Sequence, residues 1–141
     1  MSKSRASVVC LFTQTALCMS SILCTAAEEH WIGSWYAAPV ELAPHFSNAT
    51  LRTVVHVTAG GDRLRLRISN LYGRTALKVG AVYVAVSTVG RQATFSGQPE
   101  IVLSPGAVAV SDPVDLKTSA GAELAVSVFY PEAIPDRKSV V

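Results

Sequence analysis

Apolar and polar residues alternate along most of the chain after residue 50, as expected for half-buried β-strands. In the clearest example, residues 63–69, three apolar side chains alternate with three arginines: Leu64, Leu66 and Ile68, with Arg63, Arg65 and Arg67. A side-chain period of two sends the two sets to opposite faces of the strand. The pattern therefore predicts that the apolar set is buried and that the arginines are exposed.

Further strands are predicted at residues 51–58, 76–79, 81–87, 93–96, 100–103, 108–110, 114–116 and 123–130. Turn residues separate them, and Gly60-Gly61 predicts a hairpin that would place Arg52 and His56 opposite the arginines. No segment shows a sustained helical period with caps, so we expect almost no helix. The predicted fold class is all-β, an antiparallel β-sandwich or jelly roll.

The first 27 residues have the pattern of a secretory signal peptide. Lys3 and Arg5 precede a mostly apolar stretch, which ends in small residues before Glu28 and Glu29. An uncleaved membrane anchor fits less well, because hydroxyl residues interrupt an apolar core that is short for a span of about 20 residues. We therefore predict a signal peptide at 1–27, one β-domain at 28–141, and a secreted or periplasmic location without membrane contact after cleavage.

Cleavage would change both the cysteine content and the charge. All three cysteines (Cys10, Cys18 and Cys24) lie in the predicted signal peptide, which excludes disulfides and thiolate chemistry from the mature domain. Of the 12 Lys and Arg residues two lie there as well, which leaves 10 basic against 10 acidic residues. A near-neutral domain gives no reason to expect nucleic acid as a partner.

Catalytic and metal-binding patterns are missing from the sequence. No Gly-x-Ser-x-Gly motif occurs, and Gly61-Asp62 is followed by Arg63 in a predicted turn. Asp112 and Asp115 flank Pro113, as turn and strand-edge residues do. The three histidines are scattered along the chain: His30, His45 and His56. We therefore expect no catalytic residue, no metal and no cofactor.

Two groups of residues are candidates for contact with a partner or ligand. The arginine row is either a solvated face or a docking surface for a carboxylate-bearing partner. Trp31 and Trp35 would share one side of a strand, where a pair of indoles either plugs a core or domain boundary or stacks on sugars. We expect these two tryptophans and Ile32 to be the residues left uncovered.

Several segments together carry a family resemblance: residues 31–39, 50–57, 60–73, 94–97, 111–115 and 124–131. They resemble the β-rich N-terminal region of secreted SGNH/GDSL-type hydrolases, which are acylhydrolases and esterases. The stretch Gly60–Gly73 is the most specific part, and the resemblance covers nearly all of residues 28–141. Residues 136–141 show no family pattern.

The resemblance implies an accessory role without catalysis. In that family the Gly-Asp-Ser nucleophile block, the oxyanion-hole residues and the Asp-x-x-His pair follow this β region, and none of them is present here. We expect an accessory domain or truncated product of an ester hydrolase whose partner is the missing catalytic SGNH domain; sugar acetyl esters and lipids are both plausible substrates. The alternatives are a free-standing carbohydrate-binding β-sandwich module on Trp31 and Trp35, and a degenerate product without function.

Overall fold

The computed structural model describes residues 29–37, 41–42, 47–133 and 137–138, with 41–42 and 137–138 described by their backbone alone. These ranges contain no helix, and hence none that could cross a membrane. Their strands are β1 (Glu41–Leu42), β2 (Ala49–His56), β3 (Gly61–Leu64), β4 (Arg67–Ser69), β5 (Leu77–Val79), β6 (Ala81–Val86), β7 (Val89–Ala93), β8 (Ile101–Leu103), β9 (Val108–Val110), β10 (Val114–Thr118), β11 (Glu123–Tyr130) and β12 (Arg137–Lys138). The predicted signal peptide and His45 lie outside the described residues.

All strand pairs are antiparallel, which confirms the all-β, antiparallel part of the predicted fold class. The chain divides into two units, Met1–His30 and Trp31–Val141, and the strands belong to the second. The largest sheet has four strands in the order β2-β11-β6-β7. Its longest ladder joins β2 to β11 from Ala49 opposite Tyr130 to His56 opposite Glu123.

A tight hairpin joins β6 to β7. Val86 pairs with Val89, so Ser87 and Thr88 form a two-residue turn, in which Ser87 has a left-handed φ of 53°. The sequence pattern predicted strands at 81–87 and 93–96 and missed this turn, because serine gives no signal for a positive φ as glycine or asparagine does.

The arginine-rich segment pairs with residues that precede β11. We call this pairing of residues 61–70 with 106–118 the long ladder; it contains β3 with β10 and β4 with β9. Between them the register shifts by one residue. At this bulge Ser111 N–H donates to the Leu66 carbonyl at 2.8 Å, and Leu66 N–H donates to Ser111 Oγ at 2.9 Å.

The predicted hairpin between residues 51–58 and 63–69 is wrong. β2 pairs with β11, and β3 pairs with β10 in a different sheet, so Arg52 faces Ser127 instead of the arginines. Neither glycine of the connection has the positive φ that a two-residue hairpin turn of the favoured types requires. Gly60 is instead needed for a close approach, because a Cβ there would lie 2.6 Å from the Thr118 carbonyl oxygen.

The alternation predicted for residues 63–69 survives the bulge. Ile68 is buried, Leu64 and Leu66 are half-buried against the core, and the three arginines are exposed. Residues of the four-stranded sheet and of the shorter ladders form one hydrophobic cluster, whose fully buried members include Val79, Val82 and Val84. The prediction is thus confirmed for Ile68 and the arginines, and only partly for the two leucines.

Asn70 ties the end of the long ladder to the neighbouring loops. Its side chain is buried, and Nδ2 lies 2.9–3.1 Å from the carbonyl oxygens of Thr75, Leu103 and Ser104. Its own carbonyl accepts from Gly73 N–H and Gly106 N–H. A Cβ on Gly73 would overlap Asn70 Oδ1, so the turn needs glycine at position 73 to keep the Asn70 side chain in place.

Replacing Ile68 by alanine should destabilise the domain by about 2–5 kcal/mol, because the substitution leaves a cavity in the core. Arg67→Ala, one residue earlier and exposed, should cost about 0.5 kcal/mol or less. Urea unfolding of both variants measures the difference. Equal losses for the two substitutions would show that the alternation does not govern the stability of this strand.

Asn70→Ala should destabilise the domain by about 1–3 kcal/mol, because it removes the donor shared by three carbonyl oxygens near the core. Leu71→Ala, at the exposed neighbouring position, is the control and should have little effect. Thermal unfolding of both proteins tests this. An Asn70→Ala variant as stable as the parent would contradict the structural role of the side chain.

Candidate functional site

Residues 31–36, here called the aromatic segment, are fixed to the domain by Ser34. Its hydroxyl donates to the Ala59 carbonyl at 2.8 Å and accepts from Ala59 N–H at 3.0 Å. Its carbonyl accepts from Thr58 N–H at 3.0 Å and from Thr58 Oγ1 at 2.6 Å. The segment has no regular secondary structure, so the strand that would have placed Trp31 and Trp35 on one side is not formed.

Four large side chains of the aromatic segment are exposed: Trp31 (39%), Ile32 (58%), Trp35 (40%) and Tyr36 (80%). The two tryptophans and Ile32 are therefore in part exposed to solvent, as expected, and the indoles do not lie in the core. Tyr36 was not among the sequence candidates, although its position beside Trp35 was the available signal.

Trp31 is in contact with one residue of the arginine row. The guanidinium carbon of Arg65 lies 4.4 Å from the centre of the Trp31 ring, within the range of a cation–π contact. One face of Trp31 is thus covered. The structure therefore joins one residue of the arginine row to one of the two tryptophans, although 34 positions separate them in sequence.

The other two arginines have different neighbours. Arg63 lies opposite Asp115 in the register of β3 and β10, and Arg67 lies opposite Val110 in that of β4 and β9. Arg63 thus has a charged neighbour, Arg65 an aromatic one and Arg67 an apolar one. The arginines do not form a uniform cationic surface.

A shallow groove lies beside the second tryptophan. Its volume is about 410 Å³, and it is lined by Gly33, Ser34, Trp35, Tyr36 and Thr58. None of these residues carries a charge at neutral pH. The sequence did not single out Thr58, because only the Ser34 hydrogen bonds bring it to the aromatic segment.

Asp112 organises the turn at residues 94–97. Its carboxylate accepts from Thr94 Oγ1 at 2.7 Å, Gly97 N–H at 2.7 Å and Ser96 N–H at 3.1 Å. The hydrogen bond from Thr94 lowers the pKa of Asp112 most, followed by that from Gly97 N–H. Desolvation opposes them, and the Ser96 N–H and the charge of Arg65 lower the pKa by less. Ser96 and Gly97 both have positive φ, so the carboxylate holds a turn. The strand predicted at 93–96 is therefore wrong beyond Ala93, where β7 ends. Asp112 was predicted as a residue of the turn at Pro113, and its contact with this distant turn was not foreseen.

The remaining titratable groups do not form an active site in the described part of the chain. His56 Nε2 lies 3.4 Å from Glu123 Oε1, and both side chains are largely exposed on the surface of the four-stranded sheet. His30 is exposed as well. Among the described residues there is no cluster of three histidine, cysteine or carboxylate side chains that could hold a metal ion.

Comparisons with known proteins add no assignment. No family model matches the chain, and no curated protein matches it. Function must therefore be inferred from the contacts, exposure and charges of the described residues, together with the resemblance of the sequence segments.

Asp112→Asn should lower the thermal midpoint at neutral pH, because the three hydrogen bonds use both carboxylate oxygens. The amide has one acceptor oxygen and an NH₂ group that cannot accept, so at least one of the three hydrogen bonds is lost. Since folding lowers this pKa, the stabilisation is complete above the ordinary value of 3.8 and is lost as pH falls through the folded-state pKa. The difference in thermal midpoint between the parent and Asp112→Asn should therefore become smaller as the pH falls. Asp115→Asn is the control for removing an exposed carboxylate. A difference in thermal midpoint that does not change with pH would contradict this role of Asp112.

Proposed function

We propose that this chain is a non-catalytic accessory β-domain of a secreted SGNH/GDSL-like ester hydrolase, and that it flanks the substrate cleft of a catalytic SGNH domain. The resemblance of residues 31–131 to the N-terminal region of such enzymes supports the family. The sequence contains no Gly-Asp-Ser nucleophile block, which favours an accessory role over catalysis. Export through the signal peptide at residues 1–27 belongs to the same proposal.

The observation that carries the proposal is the exposure of Trp31 and Ile32 on a segment that is itself held in place. Exposed apolar side chains on neighbouring positions are typical of surfaces that contact another protein. The Arg65 stack and the Ser34 hydrogen bonds restrict this surface before a partner arrives. Less conformational entropy is then lost on association, which favours a stable contact with the catalytic domain.

A two-layered β-sandwich is the architecture that we propose for this domain. One face of the four-stranded sheet contributes Val55, Val82 and Val84 to the core, and the shorter ladders contribute Leu77 and Leu116 to the same cluster. Apolar side chains from two sets of strands that share one core are what a sandwich requires.

The alternative, a free-standing carbohydrate-binding module on the Trp31–Trp35 pair, is less well supported. Arg65 covers one face of Trp31, and the segment is not a strand that would align the two indoles. A continuous platform of two parallel rings, on which such a module would stack a sugar chain, has no support in these contacts.

The accessory role can be tested by complementation. A family hydrolase whose own N-terminal β region has been deleted supplies the catalytic domain, and the chain is added as a separate protein. The chain alone should hydrolyse p-nitrophenyl acetate no faster than buffer. Added to the catalytic domain, it should raise turnover and bind in analytical ultracentrifugation.

Replacing both Trp31 and Ile32 by serine should weaken that association at least about tenfold, or about 1.4 kcal/mol. Val102→Ser, at a valine of β8 that is 62% exposed, is the matched control and should leave it unchanged. Esterase turnover by the chain alone that a single Ser→Ala substitution abolishes would contradict the proposal. So would the absence of any association with the catalytic domain.

A further inference from the structure

The groove beside Trp35 has a lining that is suited to one class of ligand. Trp35 and Tyr36 offer exposed aromatic rings, and Thr58 contributes a hydroxyl. Aromatic rings attract the apolar C–H faces of a sugar, while hydroxyl and indole N–H groups match its hydroxyls. The lining therefore combines the two kinds of contact that a sugar ring needs.

The hydrogen bonds within the groove determine which of its polar atoms can still bond to a ligand. Thr58 Oγ1 donates its proton to the Ser34 carbonyl at 2.6 Å, so towards a ligand it can act as an acceptor. Ser34 Oγ already donates to the Ala59 carbonyl and accepts from Ala59 N–H. Ser34 thus fixes the groove, and the exposed Thr58 hydroxyl has acceptor capacity for a ligand beside the Tyr36 phenol.

The charge of the lining selects among ligands. The lining residues are glycine, serine, tryptophan, tyrosine and threonine, and all are uncharged at neutral pH. Among the described lining residues an anionic polymer would find no cation. Arg65 contacts the aromatic segment at Trp31, which is not one of the lining residues.

We propose that this groove binds a neutral sugar unit, which stacks on Trp35 and Tyr36 and donates a hydroxyl hydrogen bond to Thr58 Oγ1. The site uses other contact residues than the surface proposed for the catalytic domain, which consists of Trp31 and Ile32. It would give the accessory domain a function of its own, the retention of neutral glycan near the partner's cleft.

Gly33 provides a way to block the groove without disturbing the fold. It lines the groove, a Cβ placed on it would meet nothing within 4 Å, and its φ lies outside the left-handed region. Gly33→Leu should therefore fill the site while the thermal midpoint stays close to that of the parent.

Binding can be followed through tryptophan fluorescence and calorimetry with neutral oligosaccharides of glucose, xylose, galactose and N-acetylglucosamine as probes. The chain has two tryptophans, so in Trp31→Phe the emission reports on Trp35 alone. At least one probe should give a saturable change that is unaffected by 0.5 M salt, since no charge pair is involved. Trp35→Ala, Tyr36→Ala and Gly33→Leu should each weaken binding by about tenfold or more.

Tyr72→Ala is the matched control, because Tyr72 is also exposed but lies in the loop after β4. It should bind like the parent. The proposal is overturned if no neutral probe binds at millimolar concentration, if Gly33→Leu binds as well as the parent, or if only anionic glycans bind and salt releases them. Complementation of a catalytic domain does not depend on these results, so the two proposals can fail separately.

Discussion

The pair of hydrogen bonds between Leu66 and Ser111 is the interaction on which much of the surrounding structure depends. It lies at one of two register shifts in the long ladder; the other falls between Asp115 and Thr118. At the one-residue shift of register, the backbone N–H of Leu66 loses its regular partner, and the Ser111 hydroxyl accepts from it instead. A buried N–H without a partner would cost free energy, so the serine side chain makes the bulge tolerable. The alternation of apolar residues and arginines then continues on both sides of the shift.

The bulge also determines where neighbouring side chains go. Bulges re-aim the residues beside them, and Asp112, next to Ser111, directs its carboxylate to the turn at residues 94–97. On the opposite strand Arg65 reaches the Trp31 ring. At one end of the ladder Asn70 binds three carbonyl oxygens, one before β5 and two at the end of β8, and at the other end Gly60 permits the close approach to Thr118. The neighbouring residues Thr58 and Ala59 then hold the aromatic segment.

The parts that sequence predicted well are those decided by local periodicity. The period of two in residues 63–69 was sufficient to place Ile68 in the core and the arginines outside. The partner of each strand was not predictable in this way, because alternation alone does not distinguish pairing of β2 with the next strand in the chain from its observed pairing with β11. The Trp31–Arg65 contact and the Trp35–Thr58 groove depend on that non-local pairing, so the sequence could supply candidate residues but not their grouping.

The aromatic segment therefore has two ends with different physical properties. Trp31 is restricted by a charged side chain on one face, which suits an interface where little entropy remains to be lost. Trp35 and Tyr36 line an uncharged groove in which a ring could be received between aromatic and hydroxyl groups. Ser34 lies between the two ends and is the residue that fixes both to the domain. The Ser34 hydrogen bonds, together with the Arg65 contact to Trp31, thus hold one short segment on which the proposed protein-contact surface and the proposed sugar groove lie side by side, and loss of the Ser34 hydroxyl would affect both.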